Sequence, residues 1–97
     1  MAENGRGRIP KTPDLYIVER FLNVLWGSGR ELGRTQLQMA VGMNYRRCSV
    51  YIDLLQSAGL ITVKKDERGR EVIKITELGV KVHNALSECV NIFGRTS

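Results

Sequence analysis

The sequence has little of the chemistry that catalytic and metal sites require: it contains one histidine, His83, and two cysteines, Cys48 and Cys89. A single histidine excludes a multi-histidine metal site. Neither cysteine belongs to a Cys-x-x-Cys pair and both fall in apolar periodic segments, which predicts buried, reduced thiols. A redox-sensing Cys89 is the alternative, but no basic sequence neighbour supports it. Since a P-loop and a Gly-x-Gly-x-x-Gly motif are also missing, we expect no catalysis, no metal and no cofactor.

Long apolar runs are missing as well. No segment approaches the roughly 18–20 apolar residues of a membrane helix, and no signal-peptide core follows Met1, which predicts a cytoplasmic protein without a membrane partner. The 97 residues suffice for one small domain with a single core. Because 15 Lys and Arg outnumber 10 Asp and Glu, the net charge of +5 favours nucleic acid as a partner. Solubility alone is the other explanation of this charge.

Residues 1–11 combine glycine and cations, and they predict a flexible basic arm. Arg6, Arg8 and Lys11 are balanced by a single acid, Glu3. An arm of this kind can lie along DNA phosphates or in a minor groove. A loose terminus without a role is the alternative.

Thr12-Pro13-Asp14 is typical of a helix start, because a capping residue precedes a proline at the first helical position and then an acid. The apolar residues that follow are too many for one narrow stripe, which predicts a helix buried on more than one side. These residues are Leu15, Ile17, Val18, Phe21, Leu22, Val24 and Leu25. Gly27-Ser28-Gly29 ends this helix, and residues 30–33 are a candidate for a short strand beside a later hairpin.

Residues 34–59 predict two helices joined by a tight turn. Thr35-Gln36-Leu37-Gln38 matches a capping box, in which the threonine and the last glutamine satisfy each other's backbone donors. Gly42-Met43-Asn44 is a break that supplies a second cap, and Gly59 supplies a left-handed end to the second helix. Helical spacing predicts that the inward stripe of the second helix consists of Cys48, Ile52 and Leu55, with Tyr51 and Leu54 beside it.

Two segments rich in β-branched residues, 60–65 and 71–76, flank the polar turn 66–70 and predict a β-hairpin. Gly69 suits a turn position that needs positive φ. The turn and its flanks carry both cations and acids. The hairpin therefore has either a surface for an anionic partner or a solvated, salt-bridged face.

A last helix is predicted from residue 77 to about residue 93, with His83 on its polar side. Its apolar residues recur at steps of four and three, which predicts dimerisation through this helix. The candidate interface residues are Leu78, Val82, Ala85, Leu86, Cys89, Ile92 and Phe93. Folding of the helix back onto its own core is the alternative. The predicted organisation is an arm at 1–11, a domain at 12–76, a dimerisation helix at 77–93 and a tail at 94–97.

Several of these segments resemble the archaeal winged-helix family of small dimeric DNA-binding proteins. They are Met43–Arg47, Tyr51–Leu55, Ala58–Ile61 and Ile75-Thr76-Glu77-Leu78-Gly79, the last similar to the family's Leu-Thr-Glu-x-Gly pattern. The resemblance implies an α+β winged helix-turn-helix fold, with a three-helix core, a two-stranded wing and a C-terminal dimerisation helix. It also implies a homodimer on double-stranded DNA, as a transcription regulator or a nucleoid-associated chromatin protein. The chain departs from the family in its short last helix and in Cys48, where a larger aliphatic residue is usual.

In a helix-turn-helix the second helix enters the major groove and presents its N-terminal residues to bases and phosphates. Here that helix, 45–58, begins with Arg46 and Arg47, although each cation at a helix N-terminus costs about 0.3–1 kcal/mol. A bound anion would offset this cost, whereas unremarkable surface charges are the alternative. The wing, 61–75, is expected on the DNA backbone or in the minor groove. The candidate DNA-binding residues are Arg34, Gln36, Asn44, Tyr45, Arg46, Arg47, Ser49, Val50, Lys65, Arg68 and Arg70.

The leading interpretation is double-stranded DNA binding by a homodimer, and the sequence indicates no small-molecule ligand. A winged helix that serves as a protein-interaction module in a larger complex is the alternative, because a fold does not fix a function. The basic arm and the basic start of the second helix favour DNA. RNA is not distinguished from DNA, since the same cations recognise the phosphates of both.

Overall fold

The computed structural model describes residues 13–96, so the predicted arm at 1–11 and the predicted cap residue Thr12 lie outside the described residues. Helices and strands follow one another in the expected winged helix-turn-helix order, which is confirmed. They are α1 (Leu15–Gly27), β1 (Glu31–Gly33), α2 (Arg34–Val41), α3 (Tyr45–Ser57), β2 (Ile61–Lys65), β3 (Glu71–Ile75) and α4 (Glu77–Thr96). Strands β2 and β3 form the wing, and α3 is the second helix of the helix-turn-helix.

The three strands form one antiparallel sheet in the order β1-β3-β2, so the expected short strand beside the hairpin is confirmed as β1. Lys74 on β3 lies opposite Glu31 on β1 and Thr62 on β2. Because side chains alternate across a strand, Ile73 and Ile75 are buried against the core while Lys74 points outward. The wing is therefore apolar on one face and polar on the other.

The hydrophobic core lies between the helices and the inner face of the sheet. The inward stripe predicted for α3 is confirmed, and of the two residues beside it Tyr51 is buried and Leu54 is half-buried. Leu15 was predicted in the buried stripe of α1 but is 57% exposed, because it is the first residue of the helix and nothing in the described chain covers it. The buried apolar residues are Ile17, Val18, Phe21, Leu22, Leu25, Leu37, Val41, Cys48, Tyr51, Ile52, Leu55, Leu60, Ile61, Ile73 and Ile75.

Two helix caps differ from the predicted ones. Helix α1 is capped by Asp14, whose Oδ1 accepts a hydrogen bond from the Tyr16 N–H at 2.9 Å, so the helix begins at Leu15 and not at Pro13 as predicted. Helix α2 follows β1 directly, and the extended backbone of Gly33 makes Arg34 the first helical residue. The predicted capping box is therefore wrong: the glutamine that caps is Gln36, whose Oε1 accepts from the Gly33 N–H at 3.1 Å.

His83 was predicted on the polar side of the last helix, and this prediction is wrong. Its side chain is only 7% exposed, and its Nε2 lies 3.2 Å from Asn23 Oδ1 on α1. Ser87 Oγ lies 3.4 Å from the same Nε2 and donates to Glu19 Oε2 at 3.2 Å. The His83 ring stacks on Trp26 with centroids 6.0 Å apart. The reason is that α4 packs against α1 along a face that includes these polar residues.

Helix α4 continues to Thr96, three residues beyond its predicted end at Phe93, so most of the predicted tail is helical. Cys48 is buried as expected, whereas Cys89 is exposed, which corrects the prediction of two buried thiols. Cys89 lies on a side of α4 that the described chain does not cover. None of the helices within residues 13–96 is long and apolar enough to cross a membrane.

The junction between the wing and α4 is held by Thr76. Its Oγ1 donates to the Gly59 carbonyl at 2.7 Å and accepts from the Gly79 N–H at 3.0 Å, while its own N–H donates to the Leu60 carbonyl at 3.0 Å. A Cβ on Gly79 would collide with the Leu60 carbonyl oxygen and would lie 2.7 Å from Ile75 Cγ1. The Thr-Glu-x-Gly motif is therefore explained by close backbone packing at this junction.

Candidate nucleic-acid interface

The first turn of α3 presents the two arginines that the sequence singled out. Asn44 caps this helix, since its Oδ1 accepts from the Arg47 N–H at 2.8 Å. Tyr45, Arg46 and Arg47 are exposed, Tyr45 at 65%. The side chains of both arginines form no hydrogen bond or ion pair with any described residue. Two unpaired cations thus stand at the positive end of a helix dipole, where a bound anion is stabilised.

Arg34 joins α2, α3 and the wing. Its Nη1 donates to Glu71 Oε1 on β3 at 2.7 Å, and its Nη2 donates to Ser49 Oγ on α3 at 3.0 Å. Its guanidinium carbon also lies 6.0 Å from the centroid of the Tyr45 ring. The Arg34 and Glu71 side chains are 24% and 37% exposed, so salt screens this ion pair less than a fully exposed one. Two of the predicted DNA ligands, Arg34 and Ser49, therefore already form hydrogen bonds within the chain.

A groove of about 790 Å³ separates the start of α2 from the wing, but its charges are compensated. Arg34 is paired with Glu71 inside it, and Arg70 is paired with Asp66. Gln36, another predicted DNA ligand, also lines the groove, and its Oε1 is occupied by the Gly33 N–H. This groove therefore has less uncompensated positive charge for an anion than the start of α3 has.

The wing turn is organised by Asp66. Its Oδ1 accepts from the Arg68 and Arg70 N–H groups at 2.9 Å each, and its Oδ2 lies 3.3 Å from Arg70 Nε. The backbone hydrogen bond from Arg70, with smaller contributions from the Arg68 N–H and the Arg70 charge, holds the pKa of Asp66 below its ordinary value. The side chains of Arg68 and Lys65 are exposed and unpaired within the described chain. The positive φ expected at Gly69 is confirmed at 78°.

The strand register places one wing cation on the same face as the helix-turn-helix. Lys65 lies directly opposite Glu71, and opposite residues of paired strands share a face of the sheet. Because Glu71 contacts Arg34, this face of the wing is turned toward α2 and the start of α3. Sequence reasoning missed Glu71 as an organising residue, since its partner lies 37 positions away along the chain.

Val50, also a candidate DNA ligand, is half-buried.

The candidate dimer residues on α4 divide into two groups. Val82 and Leu86 are half-buried and pack against the chain's own core, as the fold-back alternative requires. The exposed group consists of Leu78, Ala85, Cys89, Ile92 and Phe93, with Leu78 at 48% and Ile92 at 52%. One side of α4 is therefore covered by its own domain, while an apolar stripe along the other side is open.

The described chain contains little else that suggests reactive chemistry. Between residues 13 and 96, no three His, Cys, Asp or Glu side chains are grouped so that they could hold a metal ion. Burial raises the pKa of the Cys48 thiol, and the Arg34 charge opposes this effect. A buried thiol with a raised pKa is a poor nucleophile at neutral pH.

The order of elements, the capped turn between α2 and α3 and the hairpin packed beside them define a winged helix-turn-helix domain. The chain belongs to the winged helix-turn-helix family, whose sequence profile matches residues 15–93. This family is non-enzymatic, and the chain is not an enzyme.

Similar proteins come from archaea and bacteria. An uncharacterized protein of Methanocaldococcus jannaschii is 29% identical over 87 residues, which cover 90% of this chain and 82% of the relative. Sso10a-2, a DNA-binding protein from Sulfolobus solfataricus, superposes with a TM-score of 0.76 at 22% identity over 88% of this chain and 85% of its own. The PcaV transcriptional regulator from Streptomyces coelicolor superposes with a TM-score of 0.77 at 21% identity, over 82% of this chain and 60% of its own. At such identities the likeness to solved structures establishes the fold alone.

Proposed function

We propose that this chain binds double-stranded DNA as a homodimer and acts as a transcription regulator associated with the nucleoid in the cytoplasm. The observation that carries the proposal is the pair of exposed, unpaired arginines, Arg46 and Arg47, in the first turn of α3. Cations at this position are unfavourable in the free protein, and phosphates or guanine edges are the partners that would stabilise them. The net charge of +5 adds a general attraction for DNA.

In this arrangement α3 is the recognition helix in the major groove, and the wing contacts the backbone or the minor groove. Arg46 and Arg47 contact DNA directly, with Tyr45 beside them. Arg34 positions the start of α3 relative to the wing through Ser49. Lys65 and Arg68 are the unpaired wing cations that reach phosphates.

A second copy of the chain is the proposed partner for the open apolar stripe of α4. Leu78, Ala85, Cys89 and Ile92 follow steps of seven, four and three residues, which is the spacing of a coiled-coil seam. In this organisation the part of the domain within 13–76 binds DNA, and α4 joins two copies. A symmetric dimer presents two recognition helices and doubles the charge that faces the duplex.

The first test is fluorescence anisotropy with random-sequence duplex DNA at several salt concentrations. The slope of log affinity against log salt should become shallower by about 0.9 for each phosphate that the protein no longer neutralises. We expect the double variant Arg46→Ala/Arg47→Ala to lose affinity and slope. The matched control is Gln56→Glu/Ser57→Glu, which lowers the net charge equally at the far, exposed end of the same helix.

Loss of the slope in the arginine variant but not in the control places the phosphate contacts at the start of α3. Equal losses in both would mean that only total charge matters. If the wild-type chain binds no duplex even at low salt, DNA binding is wrong and the protein-interaction module takes its place. Preference for duplex RNA over duplex DNA in competition would instead reassign the nucleic acid.

Similarity supports the proposal without replacing it. Sso10a-2, which shares the fold of this chain, is described as a DNA-binding protein.

A further inference from the structure

A second group of cations lies on the outer face of the wing sheet. There a groove of about 670 Å³ runs between the hairpin and the start of α4. The charged residues that line it are Arg30, Lys64, Lys74 and Lys81, with Glu77 as the single acid. Glu31 on β1 lies opposite Lys74 and shares this face of the sheet, so four cations stand against two carboxylates and the surface remains positive.

None of the cations of this groove is paired with a carboxylate within the described chain, although the Arg30 guanidinium carbon lies 4.5 Å from the centroid of the Trp26 ring. Lys64, Lys74 and Lys81 are exposed, and none forms an ion pair, although Glu77 and Lys81 are one helical turn apart. Arg30 is held in place by its backbone, since its N–H donates to the Leu25 carbonyl and its carbonyl accepts from Ile75. An anion in the groove would relieve the repulsion among these cations.

The groove lies on the opposite face of the sheet from the helix-turn-helix. Lys74 alternates with the buried residues Ile73 and Ile75, so its side chain points away from the core. Glu71 is two positions from Ile73 on β3, so the two side chains lie on the same face of the sheet. On that face Glu71 contacts Arg34, beside α2 and α3. A duplex that lies against α2 and α3 is therefore on the other side of the sheet from this groove.

We propose that this groove binds the phosphate backbone of a second segment of double-stranded DNA, so that one molecule of this protein holds two segments together. The proposal rests on the DNA binding proposed above. DNA fits because the groove offers ammonium and guanidinium groups, which suit phosphates. Contacts to phosphates carry no sequence information and weaken as salt rises.

The test separates one-segment binding from two-segment binding. Anisotropy with one dilute fluorescent duplex reports the recognition helix. Capture of a fluorescent duplex by a second, bead-bound duplex reports the bridge. The test variant is Lys64→Gln/Lys74→Gln, which changes two outward side chains of the sheet. The control is again Gln56→Glu/Ser57→Glu, because it removes the same amount of net charge.

We expect the lysine variant to keep its affinity for a single duplex within about two-fold and to reduce capture of the second duplex by about ten-fold or more, because two phosphates are then left without a cation. The control should keep both. Capture that is equal in wild type and lysine variant, or absent in wild type despite single-duplex binding, overturns the inference and leaves the recognition helix intact. Absence of single-duplex binding by the wild type overturns the proposed function itself.

Discussion

Arg34 and Glu71, 37 positions apart in the sequence, form an ion pair of 2.7 Å that connects the start of α2 to the wing. The same guanidinium donates to Ser49 on α3. One cation therefore sets the position of the wing relative to the recognition helix. In the proposed complex, a DNA phosphate would have to compete with the Glu71 carboxylate for Arg34.

Glu71→Gln should raise the affinity for random duplex DNA, because the freed Arg34 can then take a phosphate. The salt slope should steepen by about 0.9 for each phosphate that Arg34 newly neutralises. Anisotropy across a salt series measures both. The matched control is Glu67→Gln, which removes an exposed wing acid that has no ion-pair partner in the described chain. If both variants increase affinity equally, Glu71 acts only through total charge.

Tyr51→Phe should destabilise the domain by about 0.5–1.5 kcal/mol, the usual net contribution of one hydrogen bond. The Asp14 N–H donates to the buried Tyr51 hydroxyl oxygen at 3.0 Å, which ties the start of α1 to the recognition helix. Denaturant unfolding measures the change in the free energy of unfolding. Tyr16→Phe is the control, since its exposed hydroxyl makes no hydrogen bond within the described chain. If both variants lose the same free energy of unfolding, the hydrogen bond to Tyr51 makes no specific contribution to stability.

Gly79→Ala should destabilise the domain by about 1–3 kcal/mol, because overpacking forces the backbone to shift. The added Cβ meets the Leu60 carbonyl oxygen, which belongs to backbone and has little freedom to move. Thermal or denaturant unfolding checks the prediction. Gly27→Ala is the control, since nothing lies within 4 Å of a Cβ at that helical position. An unchanged stability of the Gly79 variant would show that the junction is looser than described.

The two cysteines should differ sharply in alkylation. Cys89 is exposed and should react within the native protein, whereas Cys48 is 2% exposed, has a raised pKa and should react only on unfolding. If α4 joins two copies, labelling of Cys89 should slow as protein concentration rises through the dimerisation range. Mass spectrometry of the labelled peptides gives the rates. A Cys89 rate that stays constant while sedimentation shows dimers would place the dimer interface elsewhere.

Acid should loosen the wing turn. The pKa of Asp66 is held below its ordinary value of 3.8, mainly by the Arg70 backbone hydrogen bond, so its ionised form is stabilised by folding. This contribution is fully present above the ordinary pKa and is lost as pH falls through the lower folded value. NMR amide shifts of Arg68 and Arg70 should titrate in that range, and Asp66→Asn should abolish the titration. Amide shifts that titrate unchanged in that variant would contradict this role.

The helix-turn-helix and the wing could be predicted because their determinants are local. Gly42 adopts a left-handed conformation, and Gly69 takes positive φ in the wing turn. Asn44 caps α3 by accepting a hydrogen bond from the N–H of Arg47, three residues later. Each of these residues acts through backbone geometry within a few positions of itself.

What could not be predicted depends on residues distant in the sequence. His83 is buried because Asn23 and Trp26, about sixty positions earlier, lie against it from α1. The start of α2 shifted because Gly33 is paired with Val72 in the sheet, which fixes its backbone before the helix begins. The ion pairing of Arg34 follows from the same strand register, and no local pattern indicated it.

The junction at Thr76 also controls distances far from itself. Helix α4 has 20 residues, so it is about 30 Å long, and a tilt of about 10° at its first turn displaces its far end by about 5 Å. That displacement exceeds the rise of one base pair, about 3.4 Å. The three hydrogen bonds of Thr76 fix the angle at which α4 leaves the wing. In a dimer joined through α4, this angle would determine how many base pairs separate the two half-sites.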